Sequence, residues 1–201
     1  MPQPFWKTDM KLIILDRDGV INQDRDDFVK SADEWVPLPG SMDAVAFLSE
    51  AGYTVAVATN QSGIGRGLFT MQELTEMHNK MHKMVQQAGG VIDGVWFCPP
   101  AAADCGCRKP KSGMVLDILD RFNAKAENTY MVGDSLRDLQ AVAGAGGKPV
   151  LVLTGKGKKT LAEHAAELPE GTQVFDDLMA FSQYLMRQDE AETEVGHAVV
   201  A

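Results

Sequence analysis

The sequence predicts an α/β fold in which a mainly parallel sheet lies between two layers of helices, a Rossmann-like three-layer arrangement. Two observations carry that expectation. Short apolar runs that suit buried strands alternate with stretches whose apolar residues recur at helical spacing. Three of the runs stop at polar or acidic residues, at Asp16/Asp18, Thr59/Asn60 and Asp134, and open α/β sheets place their ligands at the carboxyl ends of strands. With 201 residues, 45% of them hydrophobic, the chain can bury one full core, so residues 1–187 read as a single domain.

The elements follow in order. Residues 1–10 read as a loose leader, and Leu12 to Leu15 as a buried strand too short for a helix face. A polar loop, 22–34, leads to Pro37 and Pro39; Ser41 is expected to cap a helix over 42–50, which Gly52 stops. Tyr53 to Ala58 is a second strand, ending in a loop of three glycines and one arginine, Thr59 to Gly67, of the kind an anion site needs. Thr70 and Glu73 have capping-box spacing and open a helix to about Ala88. Val91 to Phe97 is a third strand, 98–112 a cysteine-bearing loop, and Met114 to Phe122 a helix. Thr129 to Val132 forms a fourth strand ending at Gly133-Asp134; Leu136, Leu139 and Val142 mark a helix, and Val150 to Leu153 a fifth strand. The pattern weakens over 156–171, then a strand near Phe175 and a helix over 178–184 close the fold. The acidic, aperiodic stretch 188–201 reads as a mobile tail.

A net charge of −9 opposes non-specific binding to nucleic acid or anionic membrane. No apolar run approaches membrane-span length and the first residues lack a signal-peptide pattern, so a cytoplasmic location is expected; a monomer is expected as well. Three cysteines, Cys98, Cys105 and Cys107, suit a metal loop better than a disulfide framework.

The strand-end residues have a coherent chemistry around a phosphate monoester. Asp16 and Asp134 can share Mg²⁺, with a backbone carbonyl from Asp18. Asp16 can attack phosphorus as a carboxylate nucleophile, and Asp18 can protonate the leaving oxygen and later activate water. Thr59 with its neighbours Asn60, Gln61 and Ser62 can bind phosphoryl oxygens. Lys109 supplies the missing positive charge and Arg108 can fork onto the rest of the substrate.

The segments Leu15-Asp-Arg-Asp-Gly-Val-Ile-Asn22, Thr59-Asn-Gln-Ser-Gly-Ile-Gly-Arg-Gly67, Cys105-Gly-Cys-Arg-Lys-Pro110 and Met131-Val-Gly-Asp134 look like the four motifs of the haloacid dehalogenase superfamily of phosphatases. Within it they most resemble the D-glycero-D-manno-heptose 1,7-bisphosphate 7-phosphatases and, less closely, the histidinol-phosphate phosphatases. The resemblance spans 11 to about 155. It implies an Mg²⁺-dependent hydrolase working through an aspartyl-phosphate, with a small phosphorylated sugar as substrate, in the supply of nucleotide-activated heptose for lipopolysaccharide. It further implies a magnesium site at Asp16, Asp18 and Asp134, and substrate contacts at Asp24, Arg25, Asp26, Asp27 and Ser135, where some members carry lysine at the last position. A structural zinc is implied at Cys98, Cys105 and Cys107, with Pro100 standing where a histidine ligand is expected, so that the loop either recruits Asp104 or water in its place, binds the ion more weakly, or stays metal-free as three thiols.

Only about 40 residues separate Asp18 from Thr59, so no large cap domain fits and loops must shape the pocket. His78 and His82 read as a surface pair, and Met77, Met81, Met84 and Val85 as a core stripe. Two readings of another class remain at this point: a non-catalytic sugar-phosphate binding protein, and a zinc-loop interaction module.

Overall fold

A computed structural model describes residues 10–99 and 105–198, with side chains as far as residue 191. The expected leader up to residue 9, and the expectations for Pro100 and Asp104, lie outside the described residues. The chain runs β1 (Leu12–Leu15), α1 (Ser41–Glu50), β2 (Thr54–Asn60), α2 (Ser62–Gly65), α3 (Met71–Gln87), β3 (Gly94–Cys98), α4 (Gly113–Phe122), β4 (Thr129–Gly133), α5 (Leu136–Ala143), β5 (Lys148–Val152), α6 (Gly157–His164), β6 (Gln173–Phe175) and α7 (Leu178–Ala198).

The six strands form one sheet in the order β3-β2-β1-β4-β5-β6, every neighbouring pair parallel. Alternation along β1 divides the core between the two faces. Ile13 and Leu15 face the layer that includes α1, α3 and α7, whereas Leu12 and Ile14 face α4 and α5. The strand order reverses direction at β1/β4, and the sequence-predicted strand-end residues gather at that switch point.

Several local expectations change. Ser41 does not cap α1; Gly40 takes the cap in a left-handed conformation, and the Ser41 hydroxyl donates to the carbonyls of Ile21 and Leu38 at 2.7 and 2.8 Å. The capping box at Thr70 forms, with the Glu73 carboxylate taking the Thr70 N–H at 2.6 Å. Helix α2 lies in the stretch read as a loop, and α6 in the stretch where the pattern weakens. The stretch from Gln188, expected to lie outside the domain as a tail, continues α7 to Ala198, and Asp189 is held by Lys11 at 2.8 Å and by the Tyr53 hydroxyl at 3.1 Å. Among the described residues no helix is long and apolar enough to cross a membrane.

Candidate active site

β1 delivers Asp16 to the rim, where its Oδ1 accepts the N–H of Arg17 at 2.7 Å and faces the Lys109 ammonium at 3.0 Å. The chain then turns through Gly19 at φ 85°, a conformation glycine adopts without penalty. A methyl group on Gly19 would overlap Asp134 Oδ2, and so would one on Gly155, so these two glycines clear the space around that carboxylate.

Lys109 is buried, and its ammonium donates to the Ala58 carbonyl at 2.7 Å and pairs with Asp16 at 3.0 Å and Asp138 at 2.5 Å. Asn60 fixes the main chain at that point with both ends of its amide, donating to the Lys109 carbonyl at 3.0 Å and accepting the Lys109 N–H at 3.1 Å. Asn60 therefore positions the lysine. Asp138 starts α5 by taking the N–H and hydroxyl of Ser135 at 3.1 and 2.6 Å, which commits the Ser135 side chain to the helix start as well as to the pocket wall.

Asp18 has its own set of partners. Its carboxylate lies in the fork of Arg17, at 3.0 to 3.2 Å, and also accepts from Asn22 at 2.9 Å and Gln61 at 3.0 Å. Gln61 also donates to Thr59 Oγ1 at 2.8 Å, linking the two strand ends. Burial works against the Asp18 charge, but the Arg17 guanidinium and the hydrogen bonds from Asn22, Arg17 and Gln61 hold its carboxyl below the usual range. Asp16 and Asp134 go the other way. Burial raises Asp16 to about 7 despite Lys109, with Asp138 and Asp18 adding repulsion. Burial, then Asp138 and Asp16, raises Asp134 to about 8 against the Lys156 N–H that donates to it.

The carboxylate oxygens that converge, within 4.8 Å of one another, belong to Asp16, Asp134 and Asp138. Asp138 is already committed to Lys109 and Ser135, so Asp16 and Asp134 are the side chains suited to a hard divalent cation. Two buried carboxyls pushed toward neutrality fit that reading, because a cation would restore their charge. The fork of Arg17 leaves Asp18 its main-chain carbonyl, not its carboxylate, to offer a metal.

A cavity of about 260 Å³ opens here. Of the sequence-predicted residues, Asp16, Asp18, Asp24, Arg25, Asp26, Thr59, Asn60, Gln61, Ser62, Arg108, Lys109, Asp134 and Ser135 line it. Asp27 does not; it is an exposed residue bound by Arg25 at 3.0 Å and Lys30 at 2.7 Å. Sequence reasoning missed Asp138, Arg137, Lys156 and Phe28, all of which line the cavity, and Arg66, the arginine of the loop read as suited to an anion, lines it too. The serine-to-aspartate spacing at Ser135 and Asp138 is a helix-start signature that marks where α5 begins, but it carries no signal of the contact with Lys109. His78 is not the surface residue expected: it is half-buried, its Nε2 is 3.4 Å from Arg17 Nη1, and burial followed by Arg17 and His82 lowers its pKa to about 4.

The sulfurs of Cys98, Cys105 and Cys107 also lie within 4.8 Å of one another. Cys107 is drawn against both others, and since one sulfur cannot hold two disulfides, the arrangement is a three-sulfur cluster.

A family model described as HAD-hydrolase-like matches residues 106–181. A D-glycero-β-D-manno-heptose-1,7-bisphosphate 7-phosphatase of Neisseria meningitidis serogroup A is 73% identical over 183 residues, covering 90% of this chain and 98% of the relative. The chain belongs to the D-glycero-β-D-manno-heptose-1,7-bisphosphate 7-phosphatase family. Among solved structures it is similar to the D,D-heptose 1,7-bisphosphate phosphatase of B. bronchiseptica complexed with magnesium and phosphate, at 54% identity and a TM-score of 0.86, over 89% of this chain and 99% of that one. The D,D-heptose 1,7-bisphosphate phosphatase of Burkholderia thailandensis is also 54% identical, with a TM-score of 0.71 over 88% of this chain and 98% of that one.

Proposed function

We propose that this protein is an Mg²⁺-dependent phosphatase that removes the 7-phosphate of D-glycero-β-D-manno-heptose 1,7-bisphosphate through an aspartyl-phosphate. The observation that carries the choice of substrate is the charge at the pocket wall. Arg66, Arg108 and Arg137 face one cavity, and after burial it is Arg137 and Arg66 that lower the pKa of Arg108. Three guanidiniums crowded in this way call for an anion beyond the one being cleaved. A sugar bisphosphate offers a second phosphate, whereas histidinol phosphate offers an amine there. The names of the relatives agree with the bisphosphate.

Arg17 N–H and Lys109 both hold Asp16 Oδ1, which orients the carboxylate to attack phosphorus in line with the departing sugar oxygen. Lys109, itself held by Ala58 and Asp138, offsets phosphoryl charge and keeps the nucleophile oriented. The ionised Asp18 suits the second half-reaction, in which it takes a proton from the water that hydrolyses the acyl phosphate. For the first half it must carry a proton, and an arriving phosphate dianion favours that by like-charge repulsion. Asp16, Asp134 and the Asp18 main-chain carbonyl would hold Mg²⁺, which would supply charge neutralisation for the phosphoryl oxygens.

Phosphate release from heptose 1,7-bisphosphate, histidinol phosphate and p-nitrophenyl phosphate, each with and without Mg²⁺, tests the reading. The highest kcat/KM is expected for the bisphosphate and only with the cation; a preference for histidinol phosphate would overturn it. We also propose that the three-cysteine cluster holds a structural zinc, with its fourth position filled from outside the cysteines. Elemental analysis of protein purified without chelator is expected to give close to one zinc per chain. Fully active protein with a negligible zinc content would remove this assignment.

A further inference from the structure

The pocket owes much of one wall to a long loop. Between the bridges that tie Asn22 to Asp18 and to Pro37, the chain has no helix or strand, yet it supplies Asp24, Arg25, Asp26, Phe28 and Val29 to the cavity. A connection of that length in a small domain needs fastening if it is to present a defined surface. Its middle also contains a residue in an uncommon conformation: Phe28 has φ 69°, in the left-handed region that a bulky side chain enters only when its surroundings hold it there.

Part of the fastening of this loop comes from a residue far away in sequence. Lys80, on α3, reaches across to donate to the carbonyls of Ala32 at 2.7 Å and Trp35 at 2.8 Å. Its ammonium also lies 6.0 Å from the centre of the Trp35 ring, and Trp35 itself is fully buried. The carbonyl of Ser31 receives Trp35 N–H at 3.1 Å, so the two carbonyls that Lys80 takes belong to one closed turn. Lys80 lines no part of the cavity.

We propose that Lys80 is a positioning residue for substrate specificity: it pins the Ser31–Trp35 turn onto α3, and so fixes the loop whose Asp24, Arg25 and Phe28 shape the sugar side of the pocket. The phosphoryl-transfer residues hang from β1, β2 and β4 and from the Lys109 segment, whereas the hydrogen bonds of Lys80 go to Ala32 and Trp35. Loosening the pin therefore affects recognition of the sugar and leaves the chemical step alone. This deepens the heptose bisphosphate reading and rests on it for the kinetic part only.

The variant is Lys80→Met, which keeps the apolar stem and removes the three donors; Lys80→Arg, which keeps donors, is the rescue. A hydrogen bond from a charged donor is strong enough that its loss should speed exchange of loop amides over 28–36 about ten-fold, with β1 and β2 unchanged. KM for heptose 1,7-bisphosphate should rise about ten-fold at near wild-type kcat, while p-nitrophenyl phosphate turnover stays within about two-fold, and Lys80→Arg should recover most of both effects. Unchanged exchange in the loop would overturn the proposal, as would an equal loss on both esters, which marks a merely structural role. If wild-type protein does not turn over the bisphosphate, the substrate reading fails, and the exchange measurement still decides on the pin. If Lys80→Met does not accumulate folded, Lys80→Gln is read by the same criteria.

Discussion

Lys109 is 2% exposed and points its ammonium at two carboxylates and a carbonyl, so three elements meet on one charge. Removing it as Lys109→Met leaves Asp16 and Asp138 buried against each other without compensation. Breaking a buried pair from one side costs about 3–5 kcal/mol, which denaturant unfolding should detect together with loss of turnover. The two aspartates of the first turn should separate in kind. Asp16→Asn keeps the shape of the group but cannot attack phosphorus, and is expected to be inactive yet folded. Asp18→Asn keeps the nucleophile but loses proton transfer, on the order of 10²–10⁴-fold in kcat. Steady-state rates near wild type for either variant would remove the aspartyl-phosphate mechanism. Asp16, Asp18, Thr59 and Asp134 are legible in the sequence because each stands where an apolar strand stops. Asp138 is not, since an aspartate three after a serine at a helix start has an ordinary capping role, and only the fold brings Lys109 to it.

At the scale of elements, the strands are readable because both faces of a parallel sheet are buried, which makes them continuous apolar runs. The helix over Met71–Gln87 announces itself by its capping box and its stripe of Leu74, Met77, Met81 and Val85. Helix α6 does not, because along its length only Gly157 and Thr160 are buried and there is little apolar periodicity to see. The continuation of α7 is hidden for a related reason: an acidic stretch without a stripe gives no helical signal, while the anchoring of Asp189 by Lys11 and Tyr53 is a tertiary contact. The turn after β1 makes a prediction of its own. Gly19→Ala would strain a φ of 85° and force a methyl into Asp134, so Asp134 must move from its place beside Asp16. A misplacement of about 1 Å in a catalytic constellation costs on the order of 10²-fold, and Mg²⁺ affinity should fall in parallel. Wild-type kcat with wild-type dependence on Mg²⁺ would show that the turn has room to spare.

For the whole molecule, a net charge of −9 coexists with a cavity lined by several arginines and lysines together with the largely buried carboxyls of Asp16 and Asp134. The carboxyls make global stability depend on pH in a direction that can be worked out. Asp16 is raised to about 7 and Asp134 to about 8, against roughly 3.9 for aspartate in an unfolded chain. Between those limits the metal-free native state binds more protons than the unfolded state, so its stability falls as pH rises from about 4 to about 8. The depressed Asp18 has the opposite sign, but its contribution is complete above the unfolded value and changes only as pH falls below about 4. It does not interfere in the window. A cation held by Asp16 and Asp134 replaces the protons those groups would otherwise keep, and therefore stabilises most where the protons have been lost. The thermal midpoint of chelator-treated protein is expected to fall between about pH 5.5 and about pH 8.5, and saturating Mg²⁺ is expected to raise it more at the upper pH than at the lower. A flat midpoint across that range without metal, or an equal Mg²⁺ shift at both ends, would mean that the two carboxyls share their charge with a protein cation and not with Mg²⁺. Lys109 would be the first place to look for it, since it already lies 3.0 Å from Asp16.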